Sequence, residues 1–139
     1  MKLLLIGGYA NVIISLLHVI GLFWAEEMFA LTGVSKDMHD LAALHSSLPY
    51  LLTLLVAAIF MLFGLYAFSA VGRCKLPFTK PAIYGISGIY LLRGFGAIIL
   101  DISNTFSVTE TVFSIIAILI GLLYLFGGRK AFHRNETSA

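Results

Sequence analysis

The sequence predicts an all-α membrane protein whose four transmembrane helices form an antiparallel up-down bundle. Hydrophobic residues make up 60% of the 139-residue chain and charged residues only 12%, whereas soluble domains average about 45–50% apolar and about 25% charged. Four segments are apolar over the roughly 20 residues that a helix needs to cross a bilayer. The segments that connect them alternate between acidic and basic, which gives all four spans a consistent direction.

The predicted spans are residues 3–25, 46–72, 81–100 and 108–128. Arg93 interrupts the third span, and Glu110 lies near the start of the fourth. Helices of soluble proteins usually keep one polar face, whereas these segments are apolar around their whole circumference. We therefore expect one membrane domain over residues 1–128 and a short basic cytoplasmic tail over residues 129–139.

Residues that favour helix ends lie at the span boundaries. Ser47 can cap the second span, and Ser107 opens a capping box that Glu110 completes at the start of the fourth. The pair Gly127 and Gly128 is expected to end the fourth helix, because glycine is the usual residue after a helix C-terminus.

The first connection is the only long one. Residues 26–32 are expected to continue the first helix, with Gly33 ending it. Ser35 can cap a second short helix over residues 36–45, and this helix has an apolar face. The sequence predicts a short interfacial helix on the outer surface between spans one and two, with a lid over the bundle as the alternative.

Charge predicts the orientation. The acidic connections carry Glu26, Glu27, Asp37 and Asp40 against Lys36, and then Asp101 and Glu110. The basic middle loop and tail carry Arg73, Lys75, Lys80, Arg129, Lys130 and Arg134. Because Lys and Arg in short loops stay in the cytoplasm, both termini and the middle loop are predicted to be cytoplasmic.

Polar side chains inside apolar spans need a reason, since a charge there costs roughly 2.5–3.5 kcal/mol on insertion scales. Arg93 can extend to the outer interface, or it can pair with an acid in the bundle, either Glu110 or Asp101. His18 can bond a neighbouring helix or act as a proton carrier, metal ligand or substrate contact. Asn11 lies deeper in the first span and is expected to bond across helices.

Most of these residues are predicted to gather in the outer half of the bundle: His18, Arg93, Glu110, Asp101 and His45. This asymmetry predicts a shallow polar pocket that opens to the outside. No metal is predicted, because His39 and His45 are six residues apart, without a standard ligand spacing. No cofactor is predicted either, since a haem would need a second axial ligand at the depth of His18.

Small residues predict close helix contacts. Gly85, Gly88 and Gly96 share roughly one face of the third span, with Gly94 nearby. Such a face suits tight packing within the bundle, or it can form a dimer contact. Tyr90 in the same span is expected to be one of the aromatic residues at the bilayer surface.

Three stretches carry a family resemblance. Residues 64–69 (GLYAFS), 76–77 (LP) and 89–94 (IYLLRG) resemble a group of small bacterial four-helix membrane proteins without an established activity. The resemblance covers about half of the chain. It implies a bacterial inner-membrane location and carries over no functional residue.

The function predicted from these observations is that of a non-catalytic accessory, sensor or binding protein that uses the outer pocket. Two alternatives stay open, namely a small oligomeric transporter or channel, and a membrane enzyme acting on a lipid or quinone. The expected partners are the lipid bilayer and either a second copy or another membrane protein. A net charge of +2 without a basic stripe does not indicate nucleic acid. The single cysteine, Cys74, is expected to be a reduced structural thiol.

Overall fold

The computed structural model describes the backbone of residues 2–103 and 108–136, and the side chains of residues 2–99 and 108–133. All regular elements in these residues are helical: α1 (Lys2–Gly21), a 3₁₀ turn (Leu22–Trp24), α2 (Ala25–Thr32), α3 (Ser35–Leu44), α4 (Leu48–Ala70), α5 (Thr79–Ser103) and α6 (Val108–Glu136). Four helical segments are long and apolar enough to cross a membrane, the first being continuous over Lys2–Thr32. The all-α fold and the four candidate spans are therefore confirmed.

The first connection contains the predicted short helix as α3, while the predicted continuation of the first helix is α2, which follows the 3₁₀ turn. Gly33 has φ of 75°, the left-handed conformation that ends α2, and its N–H donates to the carbonyl oxygen of Ala30 at 3.3 Å. Ser47 occupies the N-cap position of α4, but its side chain makes no capping bond there. Its hydroxyl instead lies 2.8 Å from Nδ1 of His45. Ser107, predicted to cap α6, lies outside the described residues.

The predicted end of the fourth helix is wrong, because α6 continues through Gly127 and Gly128 to Glu136. Both glycines lie where another helix comes close. A Cβ atom at Gly127 would lie 2.8 Å from Cγ of Leu4 in α1, and one at Gly128 would lie 2.8 Å from Cγ2 of Ile83 in α5. These glycines allow close helix approach and do not terminate the helix.

Two helix pairs make the most extensive contacts, α1 with α4 and α5 with α6. In the second pair, Gly94 near the end of α5 lies against Ser114 near the start of α6, while Ile83 near the start of α5 lies against Gly128 near the end of α6. Further contacts join α1 to α6 and α4 to α5, so the four long helices enclose one core.

Gly94 is the glycine that lets α5 approach α6 closely. The predicted face of Gly85, Gly88 and Gly96 does not have this role. A Cβ atom at Gly94 would lie only 2.8 Å from the carbonyl oxygen of Ser114. A Cβ atom at Gly85, Gly88 or Gly96 would meet nothing within 4 Å beyond its own stretch of helix. That face therefore does not pack within the bundle, and its use in a dimer contact stays a prediction.

Candidate functional site

Asn11 is completely buried and connects all four long helices. Its Nδ2 donates to the carbonyl oxygen of Gly7 at 3.0 Å and to the hydroxyl oxygen of Tyr124 at 3.1 Å. Its Oδ1 accepts a hydrogen bond from the Tyr90 hydroxyl at 2.6 Å. The Tyr124 hydroxyl in turn donates to the carbonyl oxygen of Phe63 at 2.8 Å. One side-chain amide on α1 thus organises polar contacts with α4, α5 and α6, which is the cross-helix bonding expected of it.

Tyr90 belongs to this core network. The prediction that it lies at the bilayer surface is therefore wrong. Tyr90 is only 7% exposed, and its ring centroid lies 6.4 Å from that of Tyr124. Both tyrosines are hydrogen-bond partners of Asn11 that were not predicted from the sequence. The position of Tyr90 in the sequence could have predicted its role. Tyr90 lies at the middle of its span, where a hydroxyl has no water and needs a protein partner.

Arg93 and Glu110 form an ion pair between α5 and α6, with Nη2 and Oε2 3.0 Å apart. The side chains are 50% and 40% exposed, so the pair lies on the surface of the bundle. Glu110 is therefore the predicted acid that Arg93 contacts. Asp101 is part of α5, and its side chain lies outside the described residues.

The histidines of the first connection lie on the surface. Nε2 of His39 on α3 is 3.6 Å from Oε2 of Glu26 on α2, and both side chains are more than half exposed. His45 follows α3 and contacts Ser47. Among the described residues, no group of three or more His, Cys, Asp or Glu side chains could hold a metal ion.

A cavity of about 270 Å³ lies beneath α2 and α3, against the adjoining ends of α1 and α4. His18 lines it from α1, Met28 from α2, Met38 from α3 and Val56 from α4. Its walls are mainly apolar, whereas the sequence predicted a polar pocket. The helices α2 and α3 that cover it contain no fully buried residue.

Two threonines contribute the hydroxyl groups of the cavity wall. The hydroxyl of Thr32 donates to the carbonyl oxygen four residues earlier at 2.8 Å, and that of Thr53 does the same at 2.8 Å. Because each hydroxyl has one proton and uses it within its own helix, both present only acceptor lone pairs to the cavity.

His18 is the one titratable residue among the eleven that line the cavity. Its Nδ1 lies 2.8 Å from the carbonyl oxygen of Ile14, one turn earlier in α1. Its ring packs against Phe60 of α4, with 5.2 Å between the ring centroids. The imidazole is therefore fixed by its own helix on one side and by an aromatic ring on another.

The described members of the predicted polar cluster lie in separate places. His18 lines the cavity, Arg93 and Glu110 pair on the surface of α5 and α6, His45 lies after α3, and Asn11 lies in the core. Only Arg93 and Glu110 are brought into contact. Depth along a span can be estimated by counting residues, but the direction in which each helix faces decides which side chains meet.

Comparison of the chain with protein-family models, with curated proteins and with solved structures found no match.

Proposed function

We propose that this protein is a non-catalytic binding protein of the membrane, which holds a small and mainly apolar molecule in the cavity beneath α2 and α3. The observation that supports this function is the cavity itself, about 270 Å³ in volume, with apolar walls and His18 as its one titratable lining residue. Apolar walls with a few placed polar groups are usual for small-molecule sites. A single fixed imidazole suits orientation of a ligand better than a reaction that needs paired groups.

The proposed setting is the inner membrane of a bacterium, with α1, α4, α5 and α6 as an antiparallel up-down bundle. Contacts that join the end of α5 to the start of α6 support this arrangement. Both termini and the loop after α4 are cytoplasmic in this proposal. Arg73 in that loop donates from Nη1 to the Tyr9 hydroxyl at 2.7 Å, and its guanidinium lies 5.8 Å from the Tyr9 ring centroid. This contact holds a basic loop at the membrane surface.

The two short helices α2 and α3 are proposed to lie at the outer interface and to cover the cavity. Their lack of fully buried residues supports a surface position. The cavity beneath them supports the alternative prediction, in which this segment forms a lid over the bundle. Segments with few buried contacts open locally at low cost in free energy, which gives a ligand a route of entry.

The transporter and enzyme alternatives receive less support. The side chains of Asn11, Tyr90 and Tyr124 occupy the centre of the bundle, where hydrogen bonds join them. The cavity lies to one side of these residues. A lipid- or quinone-converting site would need a second acid–base group, and His18 is the one titratable side chain among the lining residues. The glycine face of α5, where an added Cβ atom would meet no other helix within 4 Å, is the proposed contact for a second copy or another membrane protein.

Cys74 tests the proposed orientation, because it is the single cysteine of the chain. In intact cells, a membrane-impermeant maleimide is expected to leave Cys74 unlabelled and to label it once the membrane is permeabilised. Lys36→Cys in a Cys74→Ser background moves the thiol to an exposed position of α3, where we expect labelling in intact cells. The reverse pattern would contradict the orientation with cytoplasmic termini.

Filling the cavity is expected to weaken binding strongly. Val56→Trp puts a large ring into the cavity, whereas Leu55→Trp changes the next residue of α4, which is 59% exposed and does not line it. The probe is a short alkyl diazirine, crosslinked by light to the protein in lipid nanodiscs and mapped by mass spectrometry. Wild type and Leu55→Trp should show saturable labelling of cavity residues such as Met28. We expect Val56→Trp to lose at least about tenfold in apparent affinity, equivalent to 1.4 kcal/mol.

Size-exclusion profiles in mild detergent show whether each variant has folded. Labelling that does not saturate in wild type, or that is equal in the folded Val56→Trp and Leu55→Trp variants, would rule out the cavity as the binding site.

A further inference from the structure

We infer that the ligand of this cavity is an amphiphile with a hydroxyl group, an alcohol or a phenol, which donates a hydrogen bond to Nε2 of His18. This inference rests on the proposed function and names the chemical class of the ligand. It follows from the direction of the hydrogen bonds that the cavity wall already makes.

The contact of His18 with its own helix fixes the tautomer. A carbonyl oxygen can only accept, so the 2.8 Å contact with Ile14 requires the proton to be on Nδ1. Because neutral imidazole carries one N–H, Nε2 is then an unprotonated acceptor. In this form the ring has one donor, held by its own helix, and one acceptor.

The remaining polar side chains of the wall point to the same ligand chemistry. Thr32 and Thr53 both donate their hydroxyl protons to backbone carbonyls of their own helices. Together with His18, whose N–H is held by the carbonyl oxygen of Ile14, the side chains that line the cavity therefore have acceptors and no available donor. A ligand that brings a donor can be satisfied, whereas a ligand with only acceptor atoms leaves polar groups unpaired on both sides.

The apolar part of the wall fits the rest of an amphiphile. Met28, Met38 and Val56 line the cavity from three different helices, and methionine side chains adapt to ligands of varied shape. The hydroxyl end is therefore placed at His18, with the apolar body beneath α2 and α3. A linear alcohol and a phenol share this donor, and both satisfy the same acceptor.

A matched pair of probes tests the inference. The first is a short alkyl diazirine that ends in a hydroxyl group, and the second is its methyl ether, which differs by the loss of the donor. In nanodiscs, wild type should bind the alcohol about tenfold more tightly than the ether, as expected for one buried hydrogen bond. His18→Phe keeps a ring against Phe60 and removes the acceptor, so it should bind both probes as weakly as wild type binds the ether.

A second measurement does not depend on the variant folding. In wild-type protein labelled with ¹⁵N-histidine, the alcohol should shift the Nε2 resonance of His18, and the ether should leave it unchanged. Equal saturable binding of both probes to wild type would overturn the inference and leave the proposed function standing. A third probe ends in a carboxylate group in place of the hydroxyl group. A clear preference for this probe would also overturn the inference, because an anion requires a protonated His18. Absence of saturable binding by any probe would instead overturn the proposed function.

Discussion

Gly94→Ala is expected to destabilise the bundle by about 1–3 kcal/mol, the usual cost of forcing additional atoms into a packed interior. The added Cβ atom would lie 2.5 Å from Cγ1 of Ile118 and 2.8 Å from the carbonyl oxygen of Ser114. The Ile118 side chain can rotate away, but the backbone oxygen cannot, so α5 and α6 must separate. Their separation weakens the most extensive helix contact of the fold.

Gly96→Ala and Gly88→Ala are matched controls on the same helix. A Cβ atom at either position meets nothing within 4 Å beyond its own stretch of helix. Alanine is a better helix former than glycine by about 1 kcal/mol, so in the monomeric protein both controls should be neutral or slightly stabilising. Unfolding in mixed micelles with increasing SDS, followed by helical circular dichroism, measures all three variants. Equal stability of Gly94→Ala and Gly96→Ala would contradict the close packing of α5 on α6.

The contrast between these glycines shows what the sequence could not predict. Hydropathy locates the four long helices and their depth, because each must be apolar over a set length. It does not tell which side of a helix faces the others, because lipid and core both favour apolar side chains. Gly94 and Gly96 are equally small and two residues apart, yet only Gly94 lies against α6.

The candidate site was harder to predict than the fold for the same reason. Polar residues are predictable where one partner is near in the chain, as for Arg93 and Glu110, which are 17 residues apart on consecutive helices. The cavity depends instead on how α2 and α3 fold back over α1 and α4, which short amphipathic segments do not specify. His18 was identified as a candidate by its depth alone, and its apolar surroundings are visible only in the structure.

Asn11→Leu is expected to destabilise the protein by about 2 kcal/mol, because it leaves the buried Tyr90 hydroxyl without its partner. Leucine has the same branched arrangement of side-chain heavy atoms as asparagine, but its methyl groups are bulkier, so part of the loss comes from packing. Tyr124 keeps its bond to the carbonyl oxygen of Phe63, which limits the damage to α1 and α5. The same SDS titration measures the loss. Tyr50→Phe, at a tyrosine that is 47% exposed, is the control for the hydroxyl that Tyr90→Phe removes from the core.

The double variant Asn11→Leu/Tyr90→Phe gives the sharper result. Removing both partners of a buried hydrogen bond leaves neither group unpaired, so the double variant should be less destabilised than the sum of the two single variants. We expect a coupling free energy of about 1 kcal/mol, within the range known for hydrogen bonds between transmembrane helices. Strict additivity would show that the 2.6 Å contact between Asn11 and Tyr90 does not stabilise the core. Coupling of the expected size would show that this hydrogen bond between α1 and α5 contributes to the stability of the bundle.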